Sequence, residues 1–295
     1  MKTCIITDQI TQNLDIASRT IRDHGLRLVE LHGVNGKSVE CLSRDEAMAA
    51  KACLDKCGLK TANLASTIFF MAPLYDDYEI SLFKPEFAVF RGSIQDHLKQ
   101  LEHACSIADI FECDTLRIFP FRFPDNKPGK KGGTPADLDR ITEIMKEAAD
   151  IAERHGKVLV LENCPYSHLP KGKMTQEIVR RVSSPALKML WDPGNSYRAE
   201  ITQVPDEFLG ISLEEEFEAV KDDIRHVHLK NYRYDSLREK PFVHVGMCEG
   251  DIAYSRLLPR LAGLNCAVSL EPELDPDTCV REMDVLLQEA GKLQE

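Results

Sequence analysis

Residues 157–192 read KVLVLENCPYSHLPKGKMTQEIVRRVSSPALKMLWD and contain the pattern that decides the fold. A short aliphatic run at 157–163 is followed by a longer amphipathic stretch, and a second short run at 186–192 follows that stretch. Strand, helix and strand in this order predict two parallel strands that are joined by a right-handed helical crossover.

The same alternation extends over the whole chain. Eight strands are predicted, at 3–8, 26–32, 59–66, 114–120, 157–163, 186–192, 224–230 and 266–272. Helical spacing of apolar residues lies between them, as at Leu101, Ala104, Cys105 and Ala108. Eight units of about 38 residues match a closed (β/α)8 barrel, also called a TIM barrel. No GxGxxG follows the first strand, so an open doubly wound sheet is less well supported. We therefore expect one α/β domain over residues 1–295.

Composition limits the classes of partner. The chain has 37 Lys and Arg against 48 Asp and Glu, a formal net charge of −11, which disfavours binding to nucleic acid through phosphates. No apolar run approaches the roughly 20 residues that span a bilayer, and the N-terminus does not resemble a signal peptide. The ten cysteines include no CxxC pair, which is typical of reduced thiols. We expect a cytoplasmic protein without a membrane or nucleic-acid partner.

An aromatic-rich insertion at 67–90 interrupts the regular spacing between the third strand and its helix. It holds seven of the 20 aromatic residues, namely Phe69, Phe70, Tyr75, Tyr78, Phe83, Phe87 and Phe90. A connection of this length after a barrel strand is predicted to lie over the catalytic face. Two interpretations remain open, an active-site lid or an interface, for example in a homo-oligomer.

Polar side chains close the last four strands. Because side chains alternate along a strand, Val158, Val160 and Glu162 share one face. The same alternation selects the ends of the next three strands. If that face is the barrel interior, four side chains converge at its carboxyl-terminal mouth: Glu162, Asp192, His228 and Glu271. Three carboxylates and an imidazole are suited to one divalent ion, Mn²⁺, Mg²⁺, Co²⁺ or Zn²⁺, and without a cation the carboxylates would repel each other.

Short motifs carry a family resemblance: LEN at 161–163, DPGN at 192–195, HVHLKN at 226–231, VGMCEGD at 245–251 and SLEPE at 269–273. In this order they resemble the xylose isomerase-like TIM-barrel superfamily, the sugar phosphate isomerase/epimerase group. The resemblance implies that the four residues selected above bind one metal ion. It also implies that Glu162 and Glu271 form the acid/base pair on opposite faces of the substrate, while Asp192 and His228 mainly hold the metal.

The function expected from this resemblance is metal-dependent isomerisation (EC 5), as a sugar isomerase or epimerase. Its substrate would be a small sugar, sugar phosphate or related hydroxy-ketone. A carboxylate would move a proton next to the carbonyl, through a metal-stabilised enediolate. The alternative is a dehydratase (EC 4.2.1) of an inosose or dehydroshikimate. A non-catalytic sugar- or metal-binding barrel is a weaker candidate.

An AP endonuclease is disfavoured. DNA repair enzymes of that kind share the barrel but bind zinc through additional histidines, and this chain has other residues at those positions. Ser66, Arg117-Ile-Phe119 and Phe242-Val-His244 stand in their places. Asn195 stands where family epimerases often have a substrate-binding histidine. Six residues are candidates for substrate contacts: Asn195, His226, Lys230, Glu249, Glu30 and His32.

Overall fold

The computed structural model describes residues 1–81, 87–199 and 204–293. These residues form twelve strands: β1 (Lys2–Ile6), β2 (Leu28–Leu31), β3 (Gly33–Val34), β4 (Lys37–Ser38), β5 (Lys60–Ile68), β6 (Thr115–Ile118), β7 (Val158–Glu162), β8 (Leu187–Trp191), β9 (Ile224–Leu229), β10 (Asn231–Tyr234), β11 (Phe242–Val245) and β12 (Ala267–Leu270). Eight of them are parallel and close into a barrel in the order β1-β12-β9-β8-β7-β6-β5-β2. The other four form two hairpins, β3 with β4 and β10 with β11.

Helices surround the barrel: α1 (Leu14–Asp23), α2 (Arg44–Lys56), α3 (Ile94–Ile110), α4 (Pro135–Arg154), α5 (Gly172–Val182), α6 (Pro193–Arg198), α7 (Leu213–Val220), α8 (Tyr254–Leu261) and α9 (Pro276–Lys292). Local sequence explains where several of them begin. At the start of α3, the Ser93 hydroxyl accepts a hydrogen bond from the Asp96 amide, and the Asp96 carboxylate accepts one from the Ser93 amide. This reciprocal cap satisfies amides that the first helical turn leaves without partners.

Alternation along each strand separates the core from the site. On β7, Leu159 and Leu161 point outward and join the apolar core between the barrel and its helices. Val160 and Glu162 alternate with them and therefore face the interior of the barrel. Because all eight strands run the same way, their carboxyl ends meet at one mouth, where Glu162 ends its strand.

The predicted single-domain (β/α)8 barrel is confirmed, and all eight predicted strands are present. Every end of these eight strands lies within two residues of the predicted one. The third barrel strand continues to Ile68, and the first ends at Ile6, where a 3-10 turn at Thr7–Gln9 follows. No helix in the described ranges is long and apolar enough to cross a membrane.

Described parts of the aromatic-rich insertion pack beside the mouth of the barrel. Phe70 contacts Phe119, and Phe87 stacks on the ring of His32 at 4.7 Å between centroids. The Phe69 amide donates a hydrogen bond to Nδ1 of His97 on α3, which ties the start of the insertion to the following helix. Phe83 lies outside the described residues. Whether the insertion is a lid or an interface stays a prediction.

Candidate active site

Four side chains from four adjacent barrel strands converge at the mouth. Glu162 ends β7, Asp192 follows β8, His228 lies on β9 and Glu271 follows β12. Each offers one ligand atom, and these atoms all lie within 4.8 Å of one another. Asp192 and His228 are fully buried, and the side chain of Glu271 is 14% exposed. The structure thus brings together the four residues that strand alternation selected.

A buried carboxylate beneath this cluster fixes the orientation of His228. Nε2 of His228 donates to Glu30 at 3.1 Å, and Nε2 of His226 donates to the same carboxylate at 2.9 Å. Asn63 supplies a third donor at 2.7 Å. Nε2 of His228 carries the donated proton. The other ring nitrogen, Nδ1, faces Glu271 and lies 3.2 Å from its Oε2. A carboxylate that accepts a hydrogen bond from the ring nitrogen away from the metal commonly sets the tautomer of a metal-binding histidine.

The charges around His228 shift several pKa values. Burial alone would raise the pKa of Glu30, but His228 and His226 hold that pKa well below its usual value. Burial opposes protonation of His228, yet Glu30 and Glu271 raise its pKa well above the usual value. We conclude that the surroundings of His228 strongly favour positive charge.

Two buried cations also reach the cluster. Nη1 of Arg117, on β6, lies 3.1 Å from Glu162 and 3.5 Å from Glu271. Its Nη2 and Nε donate to the carbonyl oxygens of Ala65 and Ser66, which hold the guanidinium in place. Arg117 therefore fixes the two glutamates relative to each other.

Lys230 is the second cation. Its Nζ lies 3.1 Å from Oδ2 of Asp192 and is also paired with Glu271. Burial raises the pKa of Asp192 to about 6 against the opposing effect of Lys230, and the nearby Glu162 and Glu271 add to the rise. Burial and the neighbouring carboxylates therefore make negative charge on Asp192 costly in this site.

A divalent ion fits this arrangement. Among the described residues, Oδ2 of Asp192, Nδ1 of His228 and Oε2 of Glu271 are buried atoms that make no hydrogen bond, although each lies within ion-pair distance of a neighbouring charged side chain. Buried polar atoms are rarely left in that state. A set of carboxylate oxygens and one imidazole nitrogen is the ligand chemistry that Mg²⁺, Mn²⁺ or Zn²⁺ accepts. Glu162, Asp192, His228 and Glu271 would hold it.

Asn195 supports the cluster instead of reaching into it. Its Nδ2 donates to Oε1 of Glu162 and to the carbonyl oxygen of Asn163, both at 2.9 Å. The Asn195 amide donates to Asp192 at the start of α6. The side chain and backbone of one residue thus link the ends of β7 and β8, and because the side chain is an amide it has no titratable proton.

A cavity of about 590 Å³ opens above the cluster. Of the candidates for substrate contacts, His32, Asn195 and Lys230 line it. Glu30 and His226 lie buried below it and bond to each other, and Glu249 is exposed on the loop before α8. The structure therefore separates the six candidates into three at the cavity, two beneath the cluster and one outside.

Comparison with known families establishes the relationship. The family model described as a xylose isomerase-like TIM barrel matches residues 18–290. The chain belongs to the xylose isomerase-like TIM barrel family. No curated protein matches the chain significantly.

Solved structures of similar fold include enzymes with different reactions. The probable 3-DHS dehydratase AsbF from Bacillus anthracis is 17% identical, with 97% of this chain and 99% of that chain covered at a TM-score of 0.70. The 3-keto-D-glucoside 4-epimerase YcjR from E. coli is 16% identical, with 98% and 99% covered at 0.67. A xylose isomerase-like TIM barrel protein from Mycobacterium smegmatis, solved with magnesium, is 16% identical, with 95% and 89% covered at 0.66. At these identities the likeness shows the fold alone.

Two residues at this xylose isomerase-like site were missed as functional candidates from sequence. Arg117 pairs with Val160 in the barrel and therefore shares its inward face. A charged residue in the middle of a predicted buried strand is unusual, and this could have marked Arg117 as a functional candidate. Asp8 ends the first predicted strand, but it lies in the turn after β1, where it bonds to His32. No spacing rule predicts that contact between neighbouring strand ends.

Proposed function

We propose that this protein is a divalent-metal-dependent isomerase or epimerase. Its proposed substrate is a small sugar, sugar phosphate or related hydroxy-ketone, and the proposed reaction moves a proton at the carbon next to the carbonyl. The observation that carries the proposal is the pair Glu162 and Glu271, which lie 3.1 and 3.5 Å from the same nitrogen, Nη1 of Arg117, and both line the cavity.

Each glutamate is suited to one half of a proton transfer. Burial would raise the pKa of Glu271, but Lys230, His228 and Arg117 hold it well below its usual value, so the carboxylate is ionised at neutral pH, the state that a general base requires. Glu162 receives hydrogen bonds from Arg117 and Asn195, which orient its two oxygens. One carboxylate removes the proton from carbon, and the other returns a proton to the neighbouring carbon or to the opposite face.

When bound, a divalent ion supplies Lewis acidity that stabilises negative charge on a carbonyl oxygen. Asp192 and His228 are the proposed ligands without a role in proton transfer. Lys230 and Arg117 provide fixed positive charge beside the two glutamates, which also favours an oxyanion in this buried cavity. The similar fold of an epimerase supports this reaction class, and the similar fold of a protein solved with magnesium supports the cofactor.

The test is solvent exchange. Purified protein with Mn²⁺ is incubated in D₂O with a panel of ketoses, their phosphates and inososes, and deuterium next to the carbonyl is measured by NMR. We expect incorporation by the wild type and a loss of at least about 100-fold for Glu271→Gln, because a general base contributes about that much. Glu177→Gln, an exposed pair with Arg181 on α5, is the matched control. Absence of exchange with every compound would refute the proposal.

A dehydratase shares the first proton transfer and then expels a hydroxyl group. One observation favours it as a second candidate, a histidine at the cavity wall that is paired with a carboxylate.

A further inference from the structure

One guanidinium at the cavity wall differs from the other cations of the site. Arg198 is the last residue of α6, and its half-buried side chain lines the cavity above the cluster. Arg117 and Lys230 line the same cavity, and both are paired with carboxylates of the cluster. Among the described residues, no carboxylate lies within ion-pair distance of Arg198. A half-buried charge without an opposite charge is costly, so a ligand that supplies one would be stabilised there.

Aromatic side chains hold Arg198 and leave most of its donors available. Its central carbon lies 4.9 Å from the centroid of the Tyr166 ring and 5.6 Å from that of Tyr232. Contact with a ring engages the π-system and uses no N–H donor. Nη2 donates a hydrogen bond to the Tyr166 hydroxyl. In the part of the chain that the structure describes, Nε and Nη1 of Arg198 make no hydrogen bond, and both atoms remain accessible to solvent.

The helix α6 separates Arg198 from the ligand cluster by about the length of a sugar. It begins directly after the cluster residue Asp192, and it has six residues. At about 1.5 Å per residue the helix rises about 9 Å. This is comparable with the length of an extended, open-chain pentose or hexose. A substrate whose carbonyl lies at the cluster therefore has its opposite end within reach of Arg198.

The form of the guanidinium favours an anion at that end. Arginine presents its N–H donors in a planar fork that matches two oxygens of a phosphate or carboxylate group. A neutral hydroxyl group accepts fewer of these bonds and leaves the charge unbalanced. Glu273 is a carboxylate of the same cavity, but it is engaged elsewhere, 3.2 Å from Lys230 and 3.5 Å from His244. Arg198 is therefore available to an anionic group of a ligand.

We infer that Arg198 binds an anionic group at the end of the substrate remote from the carbonyl, so that the site selects phosphorylated or carboxylated sugars over neutral ones. This role rests on the proposed function, because that function places the carbonyl at the cluster. It narrows the proposed substrates to the acidic ones. Arg198 lies away from the reacting carbon, so it sets affinity for the substrate and does not take part in proton transfer.

The experiment measures binding apart from catalysis. Wild type loaded with Mn²⁺ is titrated in a calorimeter with three polyols that the proposed reaction does not convert: sorbitol 6-phosphate, gluconate and sorbitol. We expect at least one acidic ligand to bind about 10- to 100-fold more tightly than sorbitol, the usual effect of hydrogen bonds to a charged group. Tighter binding of sorbitol 6-phosphate identifies a phosphate site, and tighter binding of gluconate identifies a carboxylate site.

Arg198→Gln should remove this preference and leave the affinity for sorbitol within a few-fold of wild type. Arg198→Lys keeps the charge without the planar fork and should retain part of the preference. Arg180→Gln is the matched control, because Arg180 carries the same charge but pairs with Asp223 at the surface, 3.3 Å away. It should leave all three affinities unchanged.

Three results overturn the role of Arg198. The first is a wild type that binds neither acidic ligand more tightly than sorbitol. The second is a preference that persists in Arg198→Gln, because the anion then binds elsewhere in the cavity. The third is an equal loss of affinity for sorbitol and for the acidic ligands in both Arg198 variants. Deuterium exchange with neutral ketoses would still support the proposed function in each case. A preference that depends on Arg198, without exchange from any compound of the panel above, refutes the proposed function and leaves Arg198 an anion-binding residue.

Discussion

Acidification should destabilise the fold through His97, a buried histidine at the start of α3. Its side chain is inaccessible to solvent, its Nδ1 accepts a hydrogen bond from the Phe69 amide at 2.9 Å, and the Phe90 ring packs edge-on at 4.8 Å. Burial lowers the pKa of His97 from 6.5 to about 4. His97 therefore stays neutral in the folded protein at pH values where the unfolded chain binds a proton.

The size of the effect follows from proton linkage. Because the folded pKa is depressed, the unfolded state takes up more protons between pH 6.5 and about 4, and stability falls as the pH falls through this window. The full shift is equivalent to roughly 3 kcal/mol at about 1.36 kcal/mol per pH unit. Between pH 7 and pH 5 the contribution to the free energy of unfolding changes by about 2 kcal/mol.

Urea unfolding at pH 7 and pH 5 tests this value, followed through the fluorescence of Trp191, the single and fully buried tryptophan. The other titratable groups are the same in the wild type and in His97→Gln. The free energy of unfolding of the variant should therefore fall by about 2 kcal/mol less than that of the wild type between pH 7 and pH 5. The control is His103→Gln, an exposed position on the same helix. An equal pH dependence for wild type and His97→Gln would refute the argument that His97 is held neutral.

Two further predictions concern metal affinity, measured as free Mn²⁺ by electron paramagnetic resonance. Glu30→Gln should weaken Mn²⁺ binding about 10- to 100-fold, because it removes the carboxylate that orients His228; an unchanged affinity would contradict that role. Lys230→Gln should tighten Mn²⁺ binding by about tenfold, since the charge of Lys230 lies beside Asp192 and Glu271 and opposes a second cation. Weaker binding would show that Lys230 instead holds Glu271 in its ligand position.

Strand alternation was enough to predict the barrel and the convergence of its ligands. Glu162 and Asp192 each end a strand that reads clearly from sequence, and parallel strands bring such ends together. Alternation predicts which face of a strand a side chain occupies, but not how far below the mouth of the barrel it lies. Strand alternation placed Glu30 and His32 on the same face of the second strand because they are two residues apart. The structure has a register shift between Val29 and Glu30, and it buries Glu30 below the cavity that His32 lines.

Strand alternation could not predict contacts between side chains on strands that are far apart in the sequence. Arg117 and Glu271 are more than 150 residues apart, and only closure of the barrel places the guanidinium against the carboxylate. Asn195 was predicted to contact substrate because of its position after Asp192. Asn195 lines the cavity, so that contact stays a prediction, while its side-chain amide also bonds to Glu162 through the placement of the short helix α6.

Charge balance connects the cations of the site with the proposed metal. Four carboxylates lie in or beneath the cluster, Glu162, Asp192 and Glu271 at the mouth and Glu30 below them, and the buried cations beside them are Arg117 and Lys230. A histidine binds a metal ion as the neutral imidazole, so His228 must give up the proton that its surroundings otherwise favour. With the histidines neutral in that state, 2 − 4 leaves a local charge of −2, which is costly in a buried site unless it is compensated. One divalent ion brings the sum to zero. A trivalent ion would leave an excess positive charge, and a monovalent ion would leave a negative one. The two cations therefore set the charge of the ion that the site favours, in addition to orienting its ligands.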